Sequence, residues 1–452
     1  MPDALGAERT PSTGHRGAVA RTPVPHILPR MPTSPSPALA RRLGLVDAVA
    51  IGLGAMIGAG VFAAFGPAAQ AAGPWLLASL AIAAVVAYCN ATSSAQLAAV
   101  HTVAGGTYAY GRAELGAWWG FAAGWCFLIG KLASCAAMAM TFAAYAAPAG
   151  WERPVALLAV AALVGVNLLG VTRTALATKI IVSVALLALA IAVAAGFTAP
   201  PAGGAALAGE LPLGSLGLLQ AAGLLFFAFA GYARIATMGE EVKDPARTIP
   251  RAITIAFVIA LVVYAAVGSS LLWALGASGV ASSSAPLADA VHAAGWGWAA
   301  PVVRIGAAAA SLGALLALIA GIGRTGLAMA REHDLPPFLS AVHPRFHVPH
   351  RMELAVGVIV VGVVAVADLR GAIGFSSFGV LLYYLIANLS AWRQRREVRR
   401  YPRWMQGLGV AGCLLLAFTL PWQSVVAGAA VLAVGLAGRI LRLRRERARS
   451  GE

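Results

Sequence analysis

The stretches IGLGAMIGAGVFAAFG (51–66) and LLFFAFAGYARIATMGEE (224–241) each place glycine and other small residues near the middle of a long apolar run. Glycine weakens a helix interior because it gains no side-chain packing and loses the most backbone freedom on folding. Interruptions at matching places in two halves of a membrane chain indicate an inverted repeat with a binding site between the halves. The alternative is that these glycines, Gly54, Gly58 and Gly60 among them, only permit close packing of helices. The residues alone leave both interpretations open.

The composition indicates a membrane protein. Of 452 residues, 60% are hydrophobic and 11% are charged, whereas soluble domains are about one-quarter charged. A helix needs about 20 apolar residues to cross a bilayer. Twelve apolar segments are predicted, at about 44–70, 75–99, 117–147, 154–170, 176–198, 215–237, 252–275, 302–330, 353–368, 372–391, 405–420 and 422–441.

The predicted fold class is an all-α polytopic membrane protein with twelve transmembrane helices. Long apolar runs without alternation exclude a β-barrel, the other structure that satisfies backbone groups in lipid. The two interrupted segments, the first and the sixth, define a five-plus-five inverted repeat with broken helices 1 and 6. The predicted transmembrane domain covers 43–442, with repeat one at about 44–198, repeat two at about 215–391 and helices 11 and 12 at about 405–441.

The basic residues set the expected orientation. The net charge is +16, and the charges cluster at segment ends. Placing both termini in the cytoplasm puts most of the 33 Lys and Arg residues on that side, as the positive-inside rule requires. We therefore expect a multi-pass protein of the plasma (inner) membrane whose basic runs contact anionic lipid and not nucleic acid. A disordered cytoplasmic tail is predicted at 1–40 and a basic cytoplasmic tail at 443–452, and Met31 is a hypothetical alternative start.

Several motifs resemble those of permeases of the amino acid-polyamine-organocation superfamily, nearest the cationic amino acid transporter branch and its bacterial relatives. They are IGLGAMIGAGVF (51–62), AAGPW (71–75), AGGTYAY (104–110) and FFAFAGYARIATMGEEVKDPARTIPRAI (226–253). The resemblance implies the five-plus-five fold and movement of amino acids by proton-coupled uptake or exchange. No cofactor is implied, and the oligomeric state stays open.

The resemblance also implies the positions of the substrate-binding residues. At the first break, freed backbone amides would receive the substrate carboxylate, and at the second break carbonyls would receive its ammonium while an aromatic side chain closes over the site. A zwitterion thereby satisfies backbone groups that would otherwise be costly in lipid, and helix ends supply charges of the required sign. The corresponding residues here are Met56, Ile57, Gly58, Ala59 and Gly60 in the first break, and Phe227, Ala228, Phe229, Ala230 and Gly231 in the second.

The sequence departs from cation-transporting relatives at Ala233, where those relatives commonly carry an acidic residue. Neither break contains aspartate or glutamate, and an unpaired desolvated charge is costly. A neutral amino acid is therefore the first expectation, with a cationic amino acid or polyamine as the alternative. Arg234, a coupling candidate because charge within a membrane segment is costly, either faces an anionic substrate or pairs with Glu240 or Glu241 and stabilises its own helix.

Lys131 lies in the middle of an apolar segment, too far from either end for its side chain to reach the interface easily. Proton-coupled relatives commonly carry a lysine in the fifth segment, where this chain has Ala185. We therefore hypothesise that Lys131 has taken over proton coupling, because burial makes its charged form costly and allows it to release and regain a proton. A static lysine, hydrogen-bonded to carbonyls of the broken helices, is the alternative.

Other functional classes fit less well. A membrane enzyme would need clustered carboxylates or histidines to hold metal and phosphate, whereas the 17 acidic residues are scattered. His343, His347 and His350 have near-helical spacing, but Pro344 and Pro349 interrupt the helix, so no metal site is predicted. An amino acid sensor that binds at the breaks without transport stays open.

Overall fold

The computed structural model describes residues 43–101, 105–170, 175–202, 214–239 and 241–450. The predictions for the tail 1–40, including Met31, and for Glu240 lie outside these residues.

The described chain is built from α-helices. The first half contains α1 (Leu45–Met56), α2 (Ala59–Ala63), α3 (Phe65–Ala72), α4 (Leu76–Val100), α5 (Thr107–Glu114), α6 (Ala117–Ala146), α7 (Glu152–Leu168) and α8 (Ala175–Thr198). The second half contains α9 (Gly214–Phe229), α10 (Ala233–Ala236), α11 (Pro245–Ser282), α12 (Pro286–Ala293), α13 (Ala300–Arg331), α14 (His350–Val366), α15 (Leu369–Arg393), α16 (Arg403–Thr419) and α17 (Trp422–Ser450).

The helices follow the predicted apolar segments closely. Nine helical stretches among the described residues are long and apolar enough to cross a bilayer. Helices α7, α14 and α16 have 17 residues each, about 25 Å at 1.5 Å per residue, which is the short limit for a spanning helix. The count of twelve spans and the inverted repeat remain predictions. Within α11, Gly276 adopts φ 65° and interrupts the helix, a conformation that glycine tolerates.

Apolar side chains cover the outside of the helical assembly. Val358 and Val366 are among many large apolar residues that are exposed, and apolar exposure of this extent marks a surface that contacts lipid and not water. Inside, α6 packs along both α13 and α15. The chain is therefore an integral membrane protein whose α6 lies among other helices.

A buried aspartate joins three distant parts of the chain. Asp334, which follows α13, accepts hydrogen bonds from the Tyr108 hydroxyl at 2.8 Å and from Arg112 of α5 at 3.0 Å. It also pairs with Arg439 of α17, whose guanidinium lies over the ring of Phe121 at 4.7 Å from the centroid. The Asp334 side chain is fully buried. Burial of the Tyr108 hydroxyl raises its pKa, and the negative charge of Asp334 raises that pKa further. This ion-pair cluster fixes α17 against α5 and the segment after α13.

A short parallel bridge connects the start of α1 with the segment after α10. The Leu43 amide donates to the Glu241 carbonyl at 3.1 Å, and the Lys243 amide donates to the Leu43 carbonyl at 2.9 Å. The two interrupted helical stretches are thus hydrogen-bonded to each other at one end.

Candidate functional site

The first helical stretch is interrupted where its glycines predict. Helix α1 ends at Met56, Ile57 and Gly58 leave the helical conformation, and α2 begins at Ala59. Ala64 keeps helical dihedral angles, so α2 and α3 continue as one helical run over 59–72. The first turn of such a run leaves backbone N–H groups without intrahelical partners. All five predicted residues, Met56 to Gly60, are buried.

The second interruption is a tightened turn, shifted slightly from the predicted position. Phe227, Ala228 and Phe229 remain in α9, and a 3-10 turn at Ala230–Tyr232 precedes α10. A 3-10 turn is a common local alternative to α-helix and leaves carbonyls differently oriented. The carbonyl oxygens of Ala228 and Ala230 accept hydrogen bonds from side chains of other helices, as described below.

The two interruptions pack directly against each other through glycine. A Cβ atom on Gly60 would lie 2.6 Å from Cα of Ala228. Conversely, a Cβ atom on Gly231 would lie 2.3 Å from the carbonyl oxygen of Ala55. Both glycines are therefore required by close backbone packing, and the helices are interrupted as well. A Cβ atom on Gly58 would lie 2.8 Å from the Cβ atom of Ala314 in α13.

Tyr264 of α11 links the two interruptions. Its hydroxyl lies 2.7 Å from the carbonyl oxygen of Met56 and 2.9 Å from that of Ala228. Its ring packs edge-on against Phe229 at 5.0 Å between centroids. The sequence alone did not mark Tyr264 as a site residue. The available signal was a tyrosine hydroxyl within an apolar segment, which needs a hydrogen-bond partner when it is buried.

Lys131 of α6 reaches the second interruption. Its Nζ atom lies 3.5 Å from the carbonyl oxygen of Ala230, to which the Tyr384 hydroxyl also donates at 3.1 Å. Lys131 is 9% exposed, and within the described ranges it forms no ion pair with a carboxylate. The observed contact is the one proposed for a static lysine, and it also places a titratable amine beside the candidate site. Ala185 of α8 is buried and apolar.

Arg234 lies at the other end of the second interruption and is partnered. Its guanidinium is 3.8 Å from the Glu241 carboxylate and donates to the Thr237 hydroxyl at 3.2 Å. Its side chain is 38% exposed. This arrangement matches the structural interpretation, in which Arg234 stabilises its own end of the helix.

One acidic residue of the first helical stretch is paired at the end remote from the interruption. Asp47 of α1 binds Lys179 of α8 at 2.7 Å, and Ala233 is buried. Among the residues that the structure describes, no cluster of three or more His, Cys, Asp or Glu side chains can hold a metal ion. The described part of the candidate site thus contains backbone carbonyls, tyrosine hydroxyls and one amine.

Comparison with known proteins identifies the class. The family profile described as "Amino acid permease" matches residues 43–436. This integral membrane chain therefore belongs to the amino acid permease family, and its resemblance to amino acid-polyamine-organocation permeases is confirmed.

Relatives cover almost the whole chain. An uncharacterized transporter of Mycobacterium tuberculosis is 56% identical over 418 residues, which is 92% of this chain and 95% of the relative. A branched-chain amino acid permease of Bacillus subtilis is 27% identical, over 89% of this chain and 93% of the relative. A chloroplastic cationic amino acid transporter of Arabidopsis thaliana is 26% identical, over 93% and 77% respectively. These relatives are transporters and not enzymes.

Proposed function

We propose that the protein is a secondary active transporter of neutral amino acids across the plasma membrane, with both termini in the cytoplasm. The observation that carries this proposal is the pair of interrupted helices packed face to face at Gly60 and Gly231. Helix interruptions leave backbone amides and carbonyls without intrahelical partners inside a membrane protein, where a polar ligand can satisfy them. Alternating access would then move the surrounding helices around this site.

The two ends of the substrate would bind to different interruptions. The backbone amides of Gly58, Ala59 and Gly60 begin the helical run 59–72, and a helix N-terminus favours a carboxylate. The carbonyls of Ala228 and Ala230 offer acceptors for an ammonium. In the structure these carbonyls contact Tyr264, Tyr384 and Lys131, so substrate binding would exchange side-chain donors for the ammonium of the ligand.

The lack of aspartate and glutamate within the two predicted breaks, 56–60 and 227–231, supports a neutral side chain in the substrate. Two described carboxylates of the interrupted stretches are paired with other residues, Glu241 with Arg234 and Asp47 with Lys179. The relatives do not decide between substrate classes, because a branched-chain permease and cationic amino acid transporters match this chain at similar identity. A cationic amino acid or polyamine exchanger is the alternative that the relatives keep open.

Lys131 would couple transport to protons. Its amine lies beside the candidate ammonium acceptor, and no described carboxylate fixes its charge through an ion pair. Loss of its proton would remove a positive charge from the site, and its return would restore that charge. Proton-coupled uptake and exchange of one amino acid for another both use the same site, and the direction of net transport follows from the gradients.

The proposal is tested by binding and by flux. Purified protein is heated with each of the twenty amino acids and several polyamines, because a ligand that binds the folded state raises the unfolding temperature by mass action. Uptake of the stabilising ligands into proteoliposomes is then measured. Stabilisation by alanine, serine or branched-chain amino acids together with uptake supports the proposal. Binding without uptake or exchange identifies a sensor, and stabilisation by none of these compounds contradicts an amino acid site.

A further inference from the structure

The carbonyl oxygen of Ala230 has both of its acceptor positions in use. The Tyr384 hydroxyl lies 3.1 Å away and the Lys131 Nζ atom 3.5 Å away. A carbonyl oxygen has two lone pairs that can accept hydrogen bonds. The acceptor that would receive a substrate ammonium is therefore already in contact with an ammonium that belongs to the protein.

The packing of α6 fixes Lys131 in this place. Gly130, the preceding residue, lies against α15, where an added Cβ atom would be 3.1 Å from the Ser376 carbonyl oxygen. The hydroxyl groups of Ser134 and Ser376 are 2.6 Å apart, which ties the next turn of α6 to the same helix. Lys131 therefore cannot move away by sliding α6 along α15 without losing these contacts.

The charge of Lys131 is not balanced by a bound carboxylate in the part of the chain that the structure describes. The described aspartate and glutamate ion pairs involve His101, Arg112, Lys179, Arg234, Arg247, Arg439 and Arg442. At the candidate site the protein thus presents a fixed amine together with uncharged hydroxyl and carbonyl groups. This composition discriminates among ligands by their net charge.

We propose that Lys131 sets the substrate class of the site by excluding ligands with a net positive charge. This inference rests on the proposed function. A zwitterion with a neutral side chain adds no net charge to the site that holds Lys131, whereas arginine or lysine adds one net positive charge and a polyamine adds several. Two like charges about 6 Å apart at an effective dielectric constant of about 20 repel each other by an amount worth on the order of a hundredfold in binding constant.

The test compares neutral and cationic ligands in full-length protein. Thermal stabilisation and competition against uptake of the best neutral amino acid are measured for the wild type, Lys131→Gln, Lys131→Glu and the control Lys243→Gln. Lys243 is exposed, outside both interruptions. We expect arginine to bind the wild type and Lys243→Gln at least about tenfold more weakly than the neutral ligand, and Lys131→Glu to gain about tenfold or more in arginine affinity relative to that ligand.

The outcomes separate this inference from the proposed function. If the wild type binds arginine as tightly as the neutral ligand, the protein still binds amino acids, but Lys131 does not exclude cationic ligands. An unchanged ratio of arginine to neutral affinity in folded Lys131→Gln also overturns it. If folded Lys131→Glu protein cannot be purified, the ratios of arginine affinity to neutral-ligand affinity in the wild type and in Lys131→Gln are sufficient to test the role of Lys131. A wild type that neither binds nor transports any amino acid or polyamine contradicts the proposed function itself.

Discussion

Gly231 and Ala55 lie in backbone contact: a Cβ atom on Gly231 would be 2.3 Å from both the carbonyl carbon and the carbonyl oxygen of Ala55. Distances this short to backbone atoms cannot be relieved by a rotamer change. The contact therefore requires glycine for steric reasons and holds the two interrupted helices at a fixed separation.

Replacing Gly231 with alanine should destabilise the protein. Overpacking of a tight interior costs about 1–3 kcal/mol or more because the backbone must shift. The unfolding temperature of the purified variant measures this cost. Gly321→Ala is the matched control, since a Cβ atom at Gly321 in α13 meets nothing within 4 Å, and it should be neutral or stabilising. Equal stability of both variants would contradict the contact.

Gly60 shows the same constraint, and this affects how the site can be tested. Replacing Gly60 with leucine should abolish transport, but the added side chain would meet Cα of Ala228 before it met any ligand. Loss of protein would therefore be expected along with loss of uptake, and membrane abundance must be measured in the same cells. Normal abundance with retained uptake would contradict a role of Gly60 in the site.

Tyr264→Phe should impair transport more than it impairs folding. The variant keeps the ring against Phe229 but removes the hydroxyl that lies between the Met56 and Ala228 carbonyls. A buried acceptor without a partner costs about 1–3 kcal/mol. We therefore expect a modest loss of stability and a decrease in uptake of about tenfold. Uptake by reconstituted protein and thermal unfolding are measured together.

The control for this hydroxyl is Tyr88→Phe, because Tyr88 is 38% exposed on α4 and packs on Phe257 through its ring. We expect Tyr88→Phe to transport normally. If both variants transport at the wild-type rate, the bridge made by Tyr264 does not contribute to function.

Lys131→Met should remove the pH dependence of transport while leaving some transport. The wild-type rate is expected to change with pH because a desolvated amine can release and regain its proton during the cycle. Initial uptake rates are compared across a pH series in proteoliposomes, with Lys243→Met as the control. A full wild-type pH profile in Lys131→Met would assign Lys131 to a static role.

Asp334→Ala should strongly destabilise the protein. The substitution removes the carboxylate that Tyr108, Arg112 and Arg439 share, and breaking a buried ion pair costs about 3–5 kcal/mol because a charge is left without compensation. Asp244→Asn is the control, since Asp244 pairs with Arg247 at 3.9 Å on an exposed surface, where a pair contributes about 0–1 kcal/mol, and asparagine tolerates the positive φ of this residue. Thermal unfolding of the two variants should differ by several degrees, and similar values would contradict the cluster.

Local sequence features predicted much of the fold. The lengths of the apolar runs in the sequence located the helical segments. The glycines at 58, 60 and 231 located the interruptions to within a few residues. The charge of Lys131 marked it as unusual because an ionisable group is costly within a membrane segment. These predictions depend on short-range properties that each segment carries by itself.

Long-range partners could not be predicted in this way. Tyr264 reaches Met56 across 208 residues of sequence, and Asp334 meets Arg439 across 105. Such contacts depend on how helices pack, which no periodicity within one segment specifies. For the same reason the sequence did not reveal that Gly60 and Gly231 are each required by the backbone of the opposite interruption.

The bridge between Leu43 and the segment around Val242 has a mechanical consequence. Two backbone hydrogen bonds tie the beginning of α1 to the end of the second interrupted stretch, while the glycine contacts join the same two stretches deeper in the protein. Two helices that are joined at two separated points cannot easily rotate independently of each other. We therefore expect the two broken helices to move together as one rigid unit, so that the surrounding helices supply the relative motion that opens a path to the site.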